Sequence, residues 1–178
     1  MRFVNTLIIS ICICTAVQAQ TSWKINEAAI TFKIKNAGLT VNGSLGSFNG
    51  SFLFSADKLP ASKITATVQV NSISTGINKR DNHLKQEEYF NASKFPAAFV
   101  SSSFFVKTAE GYRGYFILTM KGVSKEVTIP FTYIETGNTA TMVGSVKLNR
   151  LDYGIGEKSI ILSDEVSVYI NISLKKND

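Results

Sequence analysis

The stretch Ile30–Lys35 reads Ile-Thr-Phe-Lys-Ile-Lys, so that large apolar side chains alternate strictly with polar ones. Successive side chains of a β-strand point to opposite faces of the sheet, and a period of two therefore predicts a strand with one buried and one wet face. An amphipathic helix would instead place its apolar residues three and four positions apart. This stretch therefore favours a sheet protein with an apolar interior.

The same alternation recurs at residues 64–70, 123–133 and 166–174, and Tyr115–Met120 is apolar on both faces. Several short strands with little helical pattern between them predict an all-β chain. The pattern favours an antiparallel sandwich or barrel, and of the two we expect a single antiparallel β-barrel of about eight strands. Dipeptides typical of tight turns or bulges are Asn42-Gly43, Asn49-Gly50, Glu110-Gly111 and Gly137-Asn138.

One short helix is predicted from about Asn78 to Phe90. Asn78 is a residue type that caps helix N-termini, and Asp81 falls in the acidic first turn. Asp81 and Lys85 are spaced to form a pair four residues apart. We expect this helix to lie across one end of the barrel.

The N-terminal segment has the pattern of a secretory leader. Arg2 is followed by an apolar run over residues 4–17 and then by small residues, which predicts a signal peptide of residues 1–19 cleaved after Ala19. The run is shorter than the roughly 20 apolar residues of a spanning helix, so we expect no integral membrane span in the mature chain. Residues 20–178 then form one domain, either periplasmic or secreted.

Composition argues against several functional classes. Cys12 and Cys14 fall within the predicted leader, and His83 is the single histidine of the chain. These residues cannot supply the three or four convergent ligands that zinc or iron requires, so we predict no metal site and no cofactor. The formal net charge is +6, but the lysines are scattered over alternating positions. Such a pattern is typical of solvated strand faces and predicts no nucleic-acid binding.

Few residues of the chain could support catalysis. His83 could join Asp81 and one of the many serines in a triad, since triads are defined by geometry and not by sequence position. No Gly-x-Ser-x-Gly elbow marks a nucleophile, however. We therefore predict that the chain is not an enzyme. The alternatives are a hydrolase acting on a lipid-like substrate around His83, and a structural role in which Arg80, Asp81 and His83 pin the helix to nearby strands.

The aromatic and aliphatic residues of the strands predict the interior of the barrel. A barrel of about eight strands can be filled by its own side chains or can line a cavity for one small ligand, and composition does not decide between them. A filled barrel would leave the chain a structural or interaction role. The residues that we predict to line a ligand cavity are Phe32, Ile34, Phe48, Phe52, Phe54, Val68, Val70, Phe104, Phe116, Leu118, Met120, Phe131 and Met142.

Motifs spread over most of the chain resemble those of the YceI-like family of lipid- or polyisoprenoid-binding proteins. They occur in order and at fitting spacings. They are Trp23, Thr75-Gly76, Arg80-Asp81-x-His83-Leu84, Tyr89-Phe90, Phe95-Pro96, Leu118-Thr119-x-x-Gly122-Val123-x-Lys125 with Gly114 before it, Arg150-x-Asp152-x-Gly154 and Asp164-x-Val166.

This resemblance implies an exported bacterial binding protein with a lipocalin-like barrel and without a cofactor. Its barrel lumen would hold a long apolar chain, either a polyisoprenoid or isoprenoid quinone or a fatty acyl chain, for carriage, storage or sequestration. Burial of such a chain is favourable by about 0.8 kcal/mol per CH₂ group. Arg80, Asp81 and His83 are carried over as motif positions and as candidates for a polar mouth. Homodimerisation through an uncovered barrel edge is left open.

Overall fold

The computed structural model describes residues 21–177, and within this range the chain is built almost entirely from strands. The α-helix of this range, α1, spans Asn78–Leu84, and 3₁₀ turns occupy Leu59–Ala61, Val70–Ser72 and Arg150–Tyr153. The strands are β1 (Ser22–Asn36), β2 (Leu39–Leu45), β3 (Phe48–Leu53), β4 (Lys63–Gln69), β5 (Ile73–Ser74), β6 (Ala97–Thr108), β7 (Gly111–Met120), β8 (Val123–Thr136), β9 (Thr139–Asn149) and β10 (Leu162–Lys176).

The sheet closes on itself. Its neighbours run β10-β9-β8-β7-β6-β4-β3-β1, and an antiparallel pairing between β1 and β10 completes the ring. β2 and β3 together count as one strand of the barrel. β1 pairs with β2 from Asn36 to Ile30 and then, in the same register, with β3 at Trp23 and Ser22. The result is the eight-stranded antiparallel barrel that the alternating pattern predicts, and that prediction is confirmed.

Antiparallel strands place the connections at two ends of the barrel. We call one the closed end; it carries the β6–β7 and β8–β9 hairpin turns and the beginning of β1. We call the other the open end. It carries the β1–β2 turn, the β7–β8 turn, and the connections 70–96 and 150–161, which include α1. The two long connections meet where the N–H of Gly156 donates to the carbonyl of Glu88 at 2.8 Å.

A cluster of aromatic rings fills the closed end. Phe54 is fully buried and makes edge-to-face contacts with Phe105 and Tyr133, with ring centroids 5.3 and 4.8 Å apart. Trp23 anchors the cluster because its indole N–H donates to the carbonyl of Phe54 at 2.9 Å. Edge-to-face ring pairs add to the free energy gained by burial alone. The interior is therefore packed at this end.

Two of the four predicted turn dipeptides are not turns. Glu110-Gly111 and Gly137-Asn138 lie at hairpin connections as predicted, whereas Asn42-Gly43 lies inside β2 and Asn49-Gly50 inside β3. Gly43 and Gly50 lie where a neighbouring strand packs too closely to admit a side chain. A Cβ on Gly43 would come within 2.2 Å of the Phe32 ring, and a Cβ on Gly50 within 2.5 Å of the Thr65 carbonyl oxygen.

The helix is shorter than predicted. It ends at Leu84, because the N–H groups of Phe90 and Ala92 reach back to the carbonyls of Leu84 and Lys85 and the chain turns under the helix. Ile77, in extended conformation, takes the capping position expected of Asn78, and it makes no side-chain capping bond.

The predicted signal peptide of residues 1–19 lies outside the described residues. Within residues 21–177, no helix is both long enough and apolar enough to cross a bilayer.

Candidate ligand-binding cavity

A cavity occupies the half of the barrel toward the open end. Its empty volume, including the part open to solvent, is about 1080 Å³, whereas the centre of a water molecule can move through about 190 Å³. The smaller value is the one to compare with the roughly 300–1,000 Å³ of ligand pockets, and because it falls below that range the space is narrow. Such a space suits a thin, extended molecule better than a wide ring system.

The wall of this cavity is chemically uniform. Every lining side chain is aliphatic, aromatic or a thioether, and glycine completes the set. A polar ligand would lose its water here without gaining side-chain hydrogen bonds, which is costly. An apolar chain would gain the free energy of leaving water. Leu118, Val146 and Val168 point into the cavity yet remain only half-buried, so the wall keeps apolar surface that a ligand would cover.

Many of the sequence-predicted residues line this cavity, and whether they contact a ligand stays a prediction. They are Phe48, Phe52, Val68, Phe116, Leu118, Met120, Phe131 and Met142. Sequence reasoning missed a further group of lining residues, although the period-two runs that contain several of them were recognised. These are Ile30, Leu45, Ile64, Ala66, Ala98, Phe99, Val100, Val127, Ile129, Gly144, Val146, Leu148, Val168, Ile170 and Ile172.

Four other predicted lining residues are inside the fold but not in the cavity wall. The Phe32 ring lies over Gly43 in the β1–β2 hairpin, and Ile34 pairs with Val41 one step closer to the open end. Phe54 belongs to the aromatic cluster at the closed end. Val70 is buried in the 3₁₀ turn after β4.

The prediction that Phe104 faces the lumen is wrong. Its side chain is 51% exposed and stacks on Tyr115 outside the barrel, with ring centroids 4.2 Å apart. The reason is a β-bulge between Ser102 and Phe104, which shifts the register of β6 against β7 by one residue. A one-residue shift exchanges the two faces of a strand, so Phe105 takes the buried position instead.

Arg80 and Asp81 form a compact network with Thr75. The Asp81 carboxylate accepts from the N–H and from the hydroxyl of Thr75, and the Arg80 guanidinium donates to the hydroxyl at 2.7 Å and to the carbonyl at 3.0 Å. The predicted pair between Asp81 and Lys85 does not form. Oδ1 of Asp81 accepts hydrogen bonds from Thr75 instead. These bonds fasten α1 to Thr75, the residue that follows β5, and His83 takes no part in them.

His83 lies on the exposed side of α1. Its Nδ1 is 3.4 Å from the Glu88 carboxylate, and its ring meets Tyr89 edge-on at 4.8 Å. Asp81 is committed to Thr75, so the two proposed members of a triad are engaged with different partners. Arg80, Asp81 and His83 are absent from the described lining of the cavity.

Arg150 is a buried charge at the open end whose role the sequence did not reveal. It is 4% exposed and donates to the carbonyls of Ser163, Ile155 and Glu157 at 2.8–3.0 Å. Its guanidinium also pairs with the Asp164 carboxylate at 3.0 Å. A guanidinium can satisfy several acceptors at once from one plane. Arg150 thereby organises the whole connection between β9 and β10.

Tyr133, Glu135 and Lys176 form a polar cluster at the closed end. The Tyr133 hydroxyl donates to Glu135 at 2.6 Å, and Lys176 donates to the same carboxylate at 3.0 Å. The hydrogen bond from Tyr133 holds the pKa of Glu135 below its usual value, while burial raises the pKa of Tyr133.

Among residues 21–177, no group of three His, Cys, Asp or Glu side chains is placed to hold a metal ion.

This geometry has counterparts among known proteins. The profile of the YceI-like domain matches residues 23–174 of the chain. The chain belongs to the YceI-like family. A UPF0312 protein of Yersinia enterocolitica is 38% identical to this YceI-like chain over 113 residues, which are 63% of the chain and 59% of the relative. The match thus spans less than two thirds of that relative's length.

Solved structures show the same fold. BcnA of Burkholderia cenocepacia superposes with a TM-score of 0.77 at 24% identity, over 82% of this chain and 95% of BcnA. A polyisoprenoid-binding domain from Saccharophagus degradans, implicated in plant cell wall breakdown, superposes with a TM-score of 0.68 at 13% identity. That match covers 90% of this chain and 100% of the domain.

Proposed function

We propose that this YceI-like protein is an exported lipid-binding protein that holds a long apolar chain, such as a polyisoprenoid or the tail of an isoprenoid quinone, in the barrel lumen. The observation that carries the proposal is the cavity wall, which is entirely apolar, packed shut at one end and open at the other. A tube of this kind can accept a tail from the open end while a polar head group stays in water.

The dimensions and the relatives support an extended chain. The narrow space matches a linear hydrocarbon, whose burial contributes about 0.8 kcal/mol for each CH₂ group. A relative with the same fold carries the name of a polyisoprenoid-binding domain. An apolar tube distinguishes chains that differ by one methylene by only about 1–3 kcal/mol. We therefore expect selection by length and branching and not by hydrogen bonds.

Binding without turnover is the second part of the proposal. The cavity wall holds no nucleophile, acid or base among the described residues, and the carboxylate of Asp81 serves Thr75 and not His83. Replacing His83 by Ala is therefore expected to alter only stability or affinity, whereas in a hydrolase it would abolish turnover and leave lipid occupancy intact. Export is the third part, and it rests on the leader pattern of residues 1–19. N-terminal sequencing of the periplasmic and secreted fractions tests it, with Gln20 expected as the first residue.

The decisive experiment is identification of the bound lipid. The full sequence is expressed in a bacterium, the protein is purified without detergent, and solvent extracts are analysed by mass spectrometry. We expect a long-chain isoprenoid or acyl lipid at about one molecule per protein, because the lumen admits a single chain.

A matched pair of variants locates the lipid. Val146 lines the cavity, whereas Val143 lies on the outer face of the same strand and is 45% exposed. Val146→Trp should fill the lumen and reduce lipid occupancy at least about tenfold, since a bulky ring takes the space of several methylenes. Val143→Trp should retain it. Equal occupancy in both variants would contradict binding in the lumen, and a lipid-free protein that also resists loading would favour a filled barrel.

A further inference from the structure

The open end of the barrel carries exposed aliphatic side chains. Leu39 is 74% exposed, Ile77 53%, Ile160 fully exposed and Ile161 58%. We call these four residues the apolar rim. Large aliphatic side chains on exposed loops gain nothing from water, and a group of them at one end of a fold is typical of a surface that meets an apolar partner.

The fold brings the rim residues to one end. Asn36 pairs with Leu39 on one side and with Leu162 on the other, and the N–H of Ala37 donates to the carbonyl of Ile161 at 2.7 Å. The β1–β2 turn is thereby tied to the loop that presents Ile160 and Ile161. Ile77 follows β5, which pairs with β2 and runs back toward the same end.

Exposed lysines flank the rim. Lys79 stands two residues after Ile77, Lys158 stands two residues before Ile160, and Lys35 pairs with Thr40 next to Leu39. Glu157 is adjacent to Lys158, so the local charge is mixed, but the chain as a whole carries a formal net charge of +6. Aliphatic side chains flanked by lysines match the interface of an anionic bilayer, where cations near the surface are attracted.

We infer that the apolar rim docks the open end of the barrel onto an anionic lipid bilayer, with its aliphatic side chains among the headgroups. The inference rests on the proposed function, since a lumen that carries a lipid must exchange it with a membrane. A long apolar chain that crossed water alone would lose the free energy gained by burial of each of its CH₂ groups. Docking at the open end places the half-buried lumen residues next to the bilayer and shortens that path.

Vesicle binding tests the inference. Protein expressed from the full sequence is incubated with vesicles of phosphatidylcholine and phosphatidylglycerol in equal parts, or of phosphatidylcholine alone, and the bound fraction is measured by sedimentation. We expect binding to the anionic vesicles that weakens with added salt. Ile160→Asp should lower the partition coefficient about tenfold, because it removes an inserted side chain and adds a repelled charge. Leu39→Asp serves as a second rim variant.

The chain offers a matched control. Ile134 is 66% exposed on β8, two residues before that strand ends at the closed-end hairpin turn. Ile134→Asp makes the same chemical change at the opposite end of the barrel, and it should bind vesicles like the unaltered protein. Both Ile160 and Ile134 are exposed, so neither substitution should impair folding.

Three outcomes would overturn the inference: no binding to the anionic vesicles, equal losses in Ile160→Asp and Ile134→Asp, or self-association that Ile160→Asp abolishes without vesicle binding. The last outcome would assign the rim to a second copy of the chain. Lipid occupancy is measured on the same preparations. A lipid-loaded protein that does not bind vesicles would contradict only this inference. A lipid-free protein that binds vesicles through the apolar rim would contradict only the proposed cargo.

Discussion

Arg150 stabilises the open end from a buried position. Its guanidinium satisfies the carbonyls of Ser163, Ile155 and Glu157 and pairs with Asp164, so the β9–β10 connection is built around one side chain. Burial of an arginine is costly unless its donors are paired, and here they are paired with backbone carbonyls and with the Asp164 carboxylate.

Replacing Arg150 by Met should lower the free energy of unfolding by at least about 2 kcal/mol, because several acceptors lose their donor. Urea denaturation measures this loss. Lys147→Met is the control: Lys147 pairs with Glu165 at 2.9 Å, but both side chains are more than half exposed. Such pairs contribute at most about 1 kcal/mol. Similar losses in the two variants would show that Arg150 does not organise the connection.

At the scale of single elements, the inner glycines decide how closely the strands pack. Gly50 pairs with Ala66 of β4, and the position of its missing Cβ is 2.5 Å from the Thr65 carbonyl oxygen. That oxygen belongs to the backbone and cannot rotate away as a side chain would. Gly46, at the junction of β2 and β3, has open space around it instead.

We expect Gly50→Ala to destabilise the protein by about 1–3 kcal/mol, because β3 and β4 must move apart to admit the methyl group. Gly46→Ala should change the stability by less than about 1 kcal/mol or raise it slightly, since it restricts the unfolded chain without a clash. Thermal unfolding of the two variants checks this difference. A loss in Gly46→Ala as large as in Gly50→Ala would contradict this account of the wall.

Across the whole molecule, the two ends of the barrel have different tasks. The closed end buries aromatic rings around Phe54 and supplies stability, while the open end keeps half-buried apolar surface for a ligand. A barrel filled along its whole length would be more stable but would have no room for cargo.

Phe54→Ala is therefore expected to lower the free energy of unfolding by about 3–5 kcal/mol, the range for large cavities in a core. Phe104→Ala is the matched control. Its ring stacks on Tyr115 outside the barrel, so the loss should stay within about 1.5 kcal/mol. Urea titration gives both values. A larger cost for Phe104→Ala would contradict its placement on the outer face.

The amino-acid sequence determined the parts of this protein that follow from local pattern. Alternation such as that of Ile30–Lys35 predicts strands with one exposed and one buried face, and repeated alternation with hairpin turns predicts an antiparallel sandwich or barrel. The apolar character of the cavity wall follows in the same way. Residues such as Val168, Ile170 and Ile172 share one face of a strand, and their period is visible without a structure.

Only the tertiary structure decided where that period breaks and which part of the interior stays open. The β-bulge before Phe104 exchanges the faces of β6. No local sequence pattern predicts this bulge, because it depends on the register of β6 against β7. The tasks of Gly43 and Gly50 depend on Phe32 and Thr65, which lie in other strands. The apolar rim is assembled from loops far apart in the chain. Contacts between distant segments set each of these features, and a sequence read residue by residue carries no distance between such segments.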